Sequence, residues 1–596
     1  MKYVTLTVIS LFIASAYAQT DKRLKGIEKE LNEILKETKV AGFSVAIIEK
    51  DKIIYARGFG YSDVENNVAA DENTLYAIGS CTKAFTAGLL GQLAEEDKLE
   101  FDENPRTYIP GLKFYNDEIN NNVTIKDLMC HMTGIPRHDW SWYMFPTDDR
   151  DELMKRIEYH EPSTGLRQQW LYNNFMFMVQ GAIAETITRK SWEQNISERF
   201  FKPLGMERSN CTISELEKAS NAAVGYRIVG DSSLVKEEYY KIAAMSPAGS
   251  INSSVSEMAN WVIAWINGGN YKGNQILPEW YVREAISAQA VARGNLPTPE
   301  SPDIYFDNYG YAWGAYSYKG HYEVEHGGAI DGFRASTTFF PSDSVGIVVL
   351  VNSGGSPATR LVRNTIADRL LKETRTDWLG KYIEGIRDAK EAQKAAEIPN
   401  EESSDKPKTA HELSDFTGDY EHKGYGKFSI VVQNDSLFAN FKQMRLHLKN
   451  KHFDVFDAYA MDTGEDDKFG PPFNFRTNVS GDISEVSINV EPAIENSIAF
   501  KKIPSAVEID KAKLEAYTGD YVVNGITIKF YLKDAALILY VPGQREYELI
   551  PLGEHLFQFE ALDNYKVEFI ESDEKEINGV KLIQPNGTFV ANRKQD

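Results

Sequence analysis

At 596 residues, with 42% of them hydrophobic and 12% aromatic, the chain is too long for one core and is expected to divide into several globular domains. A formal charge of −22 argues against nucleic acid or an anionic membrane surface as partner and suits a soluble protein. The three cysteines, Cys81, Cys130 and Cys211, form neither a disulfide framework nor a zinc-ligand spacing, and H-E-x-x-H is absent, so neither metal nor cofactor is expected.

Residues 1–18 hold a lysine, a short apolar run and the pair Ala16-x-Ala18, the pattern of a secretory signal cleaved before Gln19. Export to the periplasm or outside the cell follows, with no stable membrane span. From residue 21 to 38, Leu24, Ile27, Leu31 and Leu35 fall at helical spacing. Two β-rich runs around Lys50-Asp51-Lys52 then predict a hairpin.

Ser80 and Lys83 in "LYAIGSCTKAF" spell S-x-x-K ahead of a helix carrying Phe85, Leu89 and Leu93. One turn apart, their side chains share a face, and a helix N-terminus favours the negative charge that develops as a hydroxyl attacks a carbonyl. The spacing alone is weak. It recurs at Ser233/Lys236 and Ser403/Lys406, and Ser80 also reads as a plain helix cap.

Two later motifs strengthen it. Tyr172-Asn173-Asn174 is the one Y-x-N among 31 tyrosines, although Tyr172 also reads as a core aromatic. His326-Gly327-Gly328 ends a strand-like run, which two further strands and a helix over 357–373 follow. Between the motifs, His131 and His138 read as loop-shaping residues. Trp140 and Trp142 read either as the rim of a cleft or as exposed loop aromatics.

Residues 374–409 are charged and apolar-poor and read as a linker. Beyond them the chain repeats itself. Phe416–Tyr420 and Tyr517–Tyr521 both spell aromatic-Thr-Gly-Asp-Tyr, which predicts two related all-β modules, 410–505 and 506–596, each a small barrel or sandwich. An acidic loop over 457–473 reads either as a solvated surface loop or as an arm over the cleft.

The ordered set S-x-x-K, Y-x-N, H-x-G resembles the serine β-lactamase and penicillin-binding protein superfamily, in its class C-like branch of peptidases and esterases. Residues 19–373 take that place, with "TIKDLMCHMTGIPRHD", "YGYAWG" and "HGGAIDGFRASTTFFP" as supporting stretches. The resemblance implies a mixed α/β domain with an antiparallel sheet flanked by helices. It implies acyl transfer with Ser80 as nucleophile, Lys83 as base, Tyr172 as proton relay, Asn174 as positioning group and His326 in the third motif. The oxyanion hole would be the N–H groups of Ser80 and Ala329, with Gly327 and Gly328 lining the substrate site.

His326 stands where drug-hydrolysing β-lactamases carry lysine, so recognition of a substrate carboxylate is weakened, unless Arg334 points inward. His-Gly-Gly with two β modules resembles the D-aminopeptidase architecture, and D-alanyl-D-alanine carboxypeptidases and esterases share such variants. The expected substrate is therefore a small molecule or peptide with a peptide, amide or ester bond. A β-lactamase, a penicillin-binding sensor without turnover and a surface structural protein are the other readings; the sequence sets no oligomeric state.

Overall fold

The computed structural model describes residues 21–594 apart from residues 231–232, 241–242, 295, 299–305, 397–408, 462–467, 505–506 and 563–564. The signal-peptide stretch and the tip of the acidic 457–473 loop lie outside the described residues. No helix among the described residues is long and apolar enough to cross a membrane.

The expected first helix is broken in two. Lys22–Leu24 forms a 3-10 turn, Gly26 takes φ +80°, and α1 runs from Ile27 to Thr38. Leu24, Ile27, Leu31 and Ile34 are buried, while Leu35 is only partly covered. The predicted hairpin forms from β1 (Gly42–Glu49) and β2 (Lys52–Asp63). A short β3 (Val68–Ala69) follows, and the central helices include α2 (Lys83–Glu95), α3 (Phe175–Thr188) and α4 (Val255–Ile266).

The chain then returns to the sheet with β4 (Ala290–Gly294), β5 (Phe306–Tyr309), β6 (Gly314–Tyr318), β7 (His321–Ile330), β8 (Phe333–Phe340) and β9 (Val345–Val351). The nine strands lie in the order β4-β5-β6-β7-β8-β9-β1-β2-β3, and every pairing is antiparallel.

Strand alternation explains why this sheet reads as near-continuous apolar runs. In β1, Ala46 and Ile48 join the core beneath α4, whereas Phe43, Val45 and Ile47 join the core beneath α1 and α5 (Ala358–Leu370). In β9 all seven residues are buried for the same reason. Helices thus cover both faces.

The segment expected to be a linker instead opens with a helix, α6 (Trp378–Ala396). Its first turns anchor it: Trp378 Nε1 donates to Asp368 Oδ2 at 3.0 Å, and Leu379 and Tyr382 pack on the α1/α5 core. The rest is rich in Ala, Glu and Lys, residues that favour a helix without needing a buried face.

Both β modules are closed eight-stranded barrels, the first from Gly418–His422 to Ile498–Ile503, the second from Gly519–Val523 to Gly587–Arg593. The shared five residues build the same corner in each. Tyr420 donates its hydroxyl to Phe416 O at 2.8 Å, and Tyr521 donates to Tyr517 O at 3.1 Å. The intervening Gly418 and Gly519 take φ +134° and +141°, a backbone region that favours glycine.

The first barrel docks on the mixed α/β domain through residues 138–146. Met144 and Phe145 enter the barrel core, where the Phe145 ring lies 5.9 Å from that of Phe500. Trp140 packs on Phe441 and Phe469, so it belongs to this junction rather than to an open rim. Three histidines sit beside it. His138 and His160 stack at 4.5 Å, and burial pushes His138 and His422 down to about 4 and His160 well below its ordinary value.

All three rings start from an ordinary value of 6.5, so the folded state binds fewer protons than the unfolded chain. Their contribution to stability is complete above about pH 6.5 and is lost as the pH falls towards 4. His160→Gln keeps a donor for Gly424 and removes one titrating ring. Thermal unfolding followed from pH 7.5 to 4.5 is expected to show a shallower acid-side loss for this variant than for wild type; parallel curves would contradict the assignment.

Candidate active site

Ser80 lies in the 3-10 turn Gly79–Thr82, and Lys83 is the first residue of α2. No side chain caps either element, which disposes of the reading of Ser80 as a plain cap. Helix α2 is buried nearly all round rather than on one face, and it carries Lys83 into the interior at 0% exposure. Asn174 is the N-cap residue of α3, yet its side chain points at Lys83 instead of capping the helix.

The Lys83 amine meets three neutral partners. It donates to Asn174 Oδ1 at 2.7 Å and to the Ala248 carbonyl at 2.7 Å, and Ser80 Oγ lies 3.0 Å away. The pKa of Lys83 is driven well below the ordinary lysine value, first by burial and then by the nearby Arg137 cation. A neutral amine has two N–H groups and one lone pair. The two carbonyl acceptors use both N–H groups, which leaves the lone pair for the Ser80 hydroxyl proton.

Tyr172 flanks the pair, with its ring centroid 4.9 Å from the Lys83 amine. Burial raises its phenol well above the ordinary value, although the Ser80 hydroxyl and Arg137 pull the other way. Two titratable groups are therefore driven apart, the amine towards its free-base form and the phenol towards its acid form.

Asp139 and Arg137, which sequence reasoning passed over, complete this corner. Asp139 Oδ1 accepts from Asn174 Nδ2 at 2.9 Å and from Trp142 Nε1 at 2.8 Å, and its Oδ2 accepts from Arg137 Nε at 2.6 Å. The carboxylate thus fixes which end of the Asn174 amide faces Lys83. The Arg137 guanidinium lies 4.8 Å from the Tyr172 ring centroid, a cation over an aromatic face. The signal was in "TGIPRHD", whose charge pair acquires meaning only beside Asn174.

The third motif lies on β7 and is stitched to the turn that carries Ser80. Cys81 Sγ donates to His326 O at 3.1 Å. A Cβ on Gly328 would stand 1.9 Å from Ile78 O, and one on Gly79 would stand 2.7 Å from Ala329 N. Bare backbone at both glycines lets residues 78–79, just ahead of Ser80, lie against Gly328 and Ala329, and Gly327 lies exposed between His326 and Gly328.

His326 itself, 6% exposed, has both nitrogens engaged by protein. Nδ1–H donates to Gly327 O at 2.7 Å, so Nε2 accepts from the Tyr309 hydroxyl at 2.9 Å. Burial pushes its pKa down to about 3, which makes it a neutral wall rather than a cation. Arg334 does not replace the missing charge. Gly328 and its partner Ala335 face the Ser80 turn, so Ala329 and its partner Arg334 lie on the other face of the sheet. Arg137 is the cation beside Tyr172 instead.

His131 is buried 4.3 Å from the Tyr172 ring and accepts from Asn173 N at 3.1 Å, in keeping with a loop-shaping role. A pocket of about 150 Å3 opens beside the motif, lined by Trp170, Tyr172, Tyr309, Tyr316, Glu325 and His326. Among the described residues, no cluster of three His, Cys, Asp or Glu side chains could hold a metal ion.

This is a mixed α/β β-lactamase-like domain followed by two closed barrels. The chain belongs to the Beta-lactamase family, whose pattern matches residues 25–372, and a domain of unknown function (DUF3471) matches residues 402–502. It is 27% identical over 435 residues to Unguisins hydrolase ungD of Aspergillus violaceofuscus (strain CBS 115571), spanning 68% of this chain and 76% of that protein. It is 24% identical over 351 residues to Protein flp of Staphylococcus aureus (strain N315), spanning 58% and 66%. The octameric penicillin-binding protein homologue from Pyrococcus abyssi shares the fold, with TM-score 0.54 and 22% identity over 88% of this chain and 99% of that one.

Gly328→Ala tests the stitching of β7 to the Ser80 turn. A methyl group there must push the strand off Ile78, and kcat/KM is expected to fall at least about 100-fold with the far-UV circular dichroism unchanged. Wild-type turnover by this variant would contradict the placement of the third motif.

Proposed function

We propose that this chain is an exported serine hydrolase that forms an acyl-enzyme on Ser80 and cleaves a peptide, amide or ester bond. The observation that carries the reading is the buried Lys83 amine, 3.0 Å from Ser80 Oγ, with both of its N–H groups committed to carbonyl acceptors. Membership of the Beta-lactamase family and the resemblance to proteins named as hydrolases support it. Export rests on the signal-like residues 1–18.

In the first half-reaction Lys83 takes the Ser80 proton as Oγ adds to the substrate carbonyl. The backbone N–H groups of Ser80 and Ala329 face the developing oxyanion. Tyr172, held as a phenol, passes a proton to the leaving amine or alcohol and is reprotonated from Lys83. In the second half, water loses a proton to the same relay and adds to the acyl carbonyl, and Ser80 leaves with a proton returned by Lys83. Asn174 and Asp139 hold the amine in line throughout.

The neutral, fully bonded His326 gives the third motif no cation for a β-lactam carboxylate. Small acyl esters and amino-acid amides, including D-configured ones, are therefore better substrates than cephalosporins.

A chromogenic panel of short acyl esters, D- and L-amino acid anilides, a D-Ala-D-Ala peptide and a cephalosporin tests the reading. Wild type is expected to turn over an ester or anilide and to show a Ser80 acyl adduct by mass spectrometry. Ser80→Ala is expected to abolish both, and Lys83→Met or Tyr172→Phe to cost about 100-fold or more in kcat. Permanent labelling without turnover would favour the sensor; Ser80→Ala at wild-type rate would sink the proposal.

A further inference from the structure

We infer that the first barrel is the positioning element of the active-site loop: Glu491 and Tyr425 hold His138, and thereby place Arg137 and Asp139 against Tyr172, Asn174 and Lys83. The inference rests on the serine-hydrolase reading and gives a task to the module matched only as a domain of unknown function.

The grip has two parts of different character. At its far end Met144 and Phe145 fill the barrel mouth, which is ordinary apolar adhesion. At its near end the contacts are polar and aimed at backbone. Glu491 Oε2 accepts from the His138 N–H at 2.7 Å, and Tyr425 donates its hydroxyl to His138 Nδ1 at 2.7 Å. His138 Nε2–H in turn donates to Glu161 O at 2.9 Å, so the ring is held at both nitrogens. Gly424 O accepts from Ser141 Oγ at 2.7 Å and from His160 Nε2–H at 3.0 Å.

Glu491 is the informative residue. It is only 6% exposed, and its other oxygen accepts from Ala493 N at 3.2 Å. Among the described residues it makes no salt bridge in contact; the cation that acts on it is the Arg137 guanidinium, which it helps hold protonated from longer range. A buried carboxylate is costly, and an apolar side chain would serve adhesion as well or better. What the carboxylate adds is direction: it fixes one backbone N–H, on the residue between Arg137 and Asp139.

From there the connection to the chemistry is a short series of hydrogen bonds. Asp139 Oδ1 accepts from Asn174 Nδ2 at 2.9 Å, and Asn174 Oδ1 accepts from the Lys83 amine at 2.7 Å. Residues separated by hundreds of positions thus converge on one amine. Glu491 and Tyr425 touch neither substrate nor nucleophile in this arrangement; they are positioning residues acting through Asp139 and Asn174.

Glu491→Ala in the full-length protein tests this, with Glu491→Gln as the conservative variant and Leu437→Ala as a control in the barrel core. Burial is the chief cause of the lowered Lys83 pKa, so a loosened loop that admits water returns it towards its ordinary value. With a short acyl ester, Glu491→Ala is expected to lower kcat about tenfold with KM little changed, and to move the acid limb of the pH–rate profile upward. Glu491→Gln, which retains an acceptor for His138 N–H, should restore most of the rate, and Leu437→Ala should lower the melting temperature without moving the limb.

Wild-type kcat and limb in Glu491→Ala, or equal limb shifts in Leu437→Ala, would overturn the inference. Amide exchange, measured on the same proteins, decides it independently of turnover: Glu491→Ala must speed exchange over both 137–145 and 172–174, and unchanged exchange at 172–174 overturns it. A wild-type protein without turnover on any substrate would instead defeat the serine-hydrolase reading.

Discussion

The structure turns on keeping one amine out of water without giving it a charge partner in contact. Lys83 is fully buried, and the groups within hydrogen-bonding distance are a hydroxyl, an amide oxygen and a backbone carbonyl. A carboxylate in contact would hold it as an ammonium and leave Ser80 without a base. Asp139 comes close, yet its charge is answered by Arg137, and Asn174 stands between it and the amine. On the proposed reading, that arrangement lets Lys83 serve as a general base at a pH well below the ordinary lysine value.

The fold supplies the walls of this small dry space from distant parts of the chain. Helix α2 brings the serine and lysine, the residue ahead of α3 brings the amide, and β7 approaches so closely that only glycine fits at Gly79 and Gly328. The nine-stranded sheet is built from both ends of the domain and buried on both faces, which makes it a rigid back wall. The remaining wall, the loop carrying Arg137 and Asp139, lacks regular structure over much of its length and leans on the first barrel. An accessory module beside such a cleft is often read as a substrate-binding arm; here its contacts run to the loop that carries Arg137 and Asp139.

Much of this was legible in the sequence where local pattern determines the outcome. The β1–β2 hairpin, the three strands β7 to β9 and α5 follow from apolar periodicity and turn residues. The two barrels announced themselves through a five-residue corner whose tyrosine bonds back four positions. Ser80, Lys83, Tyr172 and Asn174 were singled out from the order of three individually weak motifs, and the structure sets the four side by side. What was not legible depends on pairings no local pattern encodes. Arg137 and Asp139 look like solvated charges until Asn174 and Tyr172 are brought beside them. Glu491 lies in a different module altogether. Helix α6 was missed because its charged composition suits a linker as well as an exposed helix. His326 was expected among the catalytic groups, and the hydrogen bonds to Gly327 O and Tyr309 make it a neutral structural wall.

The central claim is that Ser80 is activated by an uncharged Lys83. The rate constant for covalent modification of Ser80 by a fluorophosphonate, measured against pH on wild type, tests it most directly. An amine depressed by burial predicts modification that is already rapid well below the ordinary lysine value of 10.5, with its acid limb displaced downward from that value. Modification that becomes appreciable only as the pH approaches that value would mean the amine is charged at rest, and the account would fail.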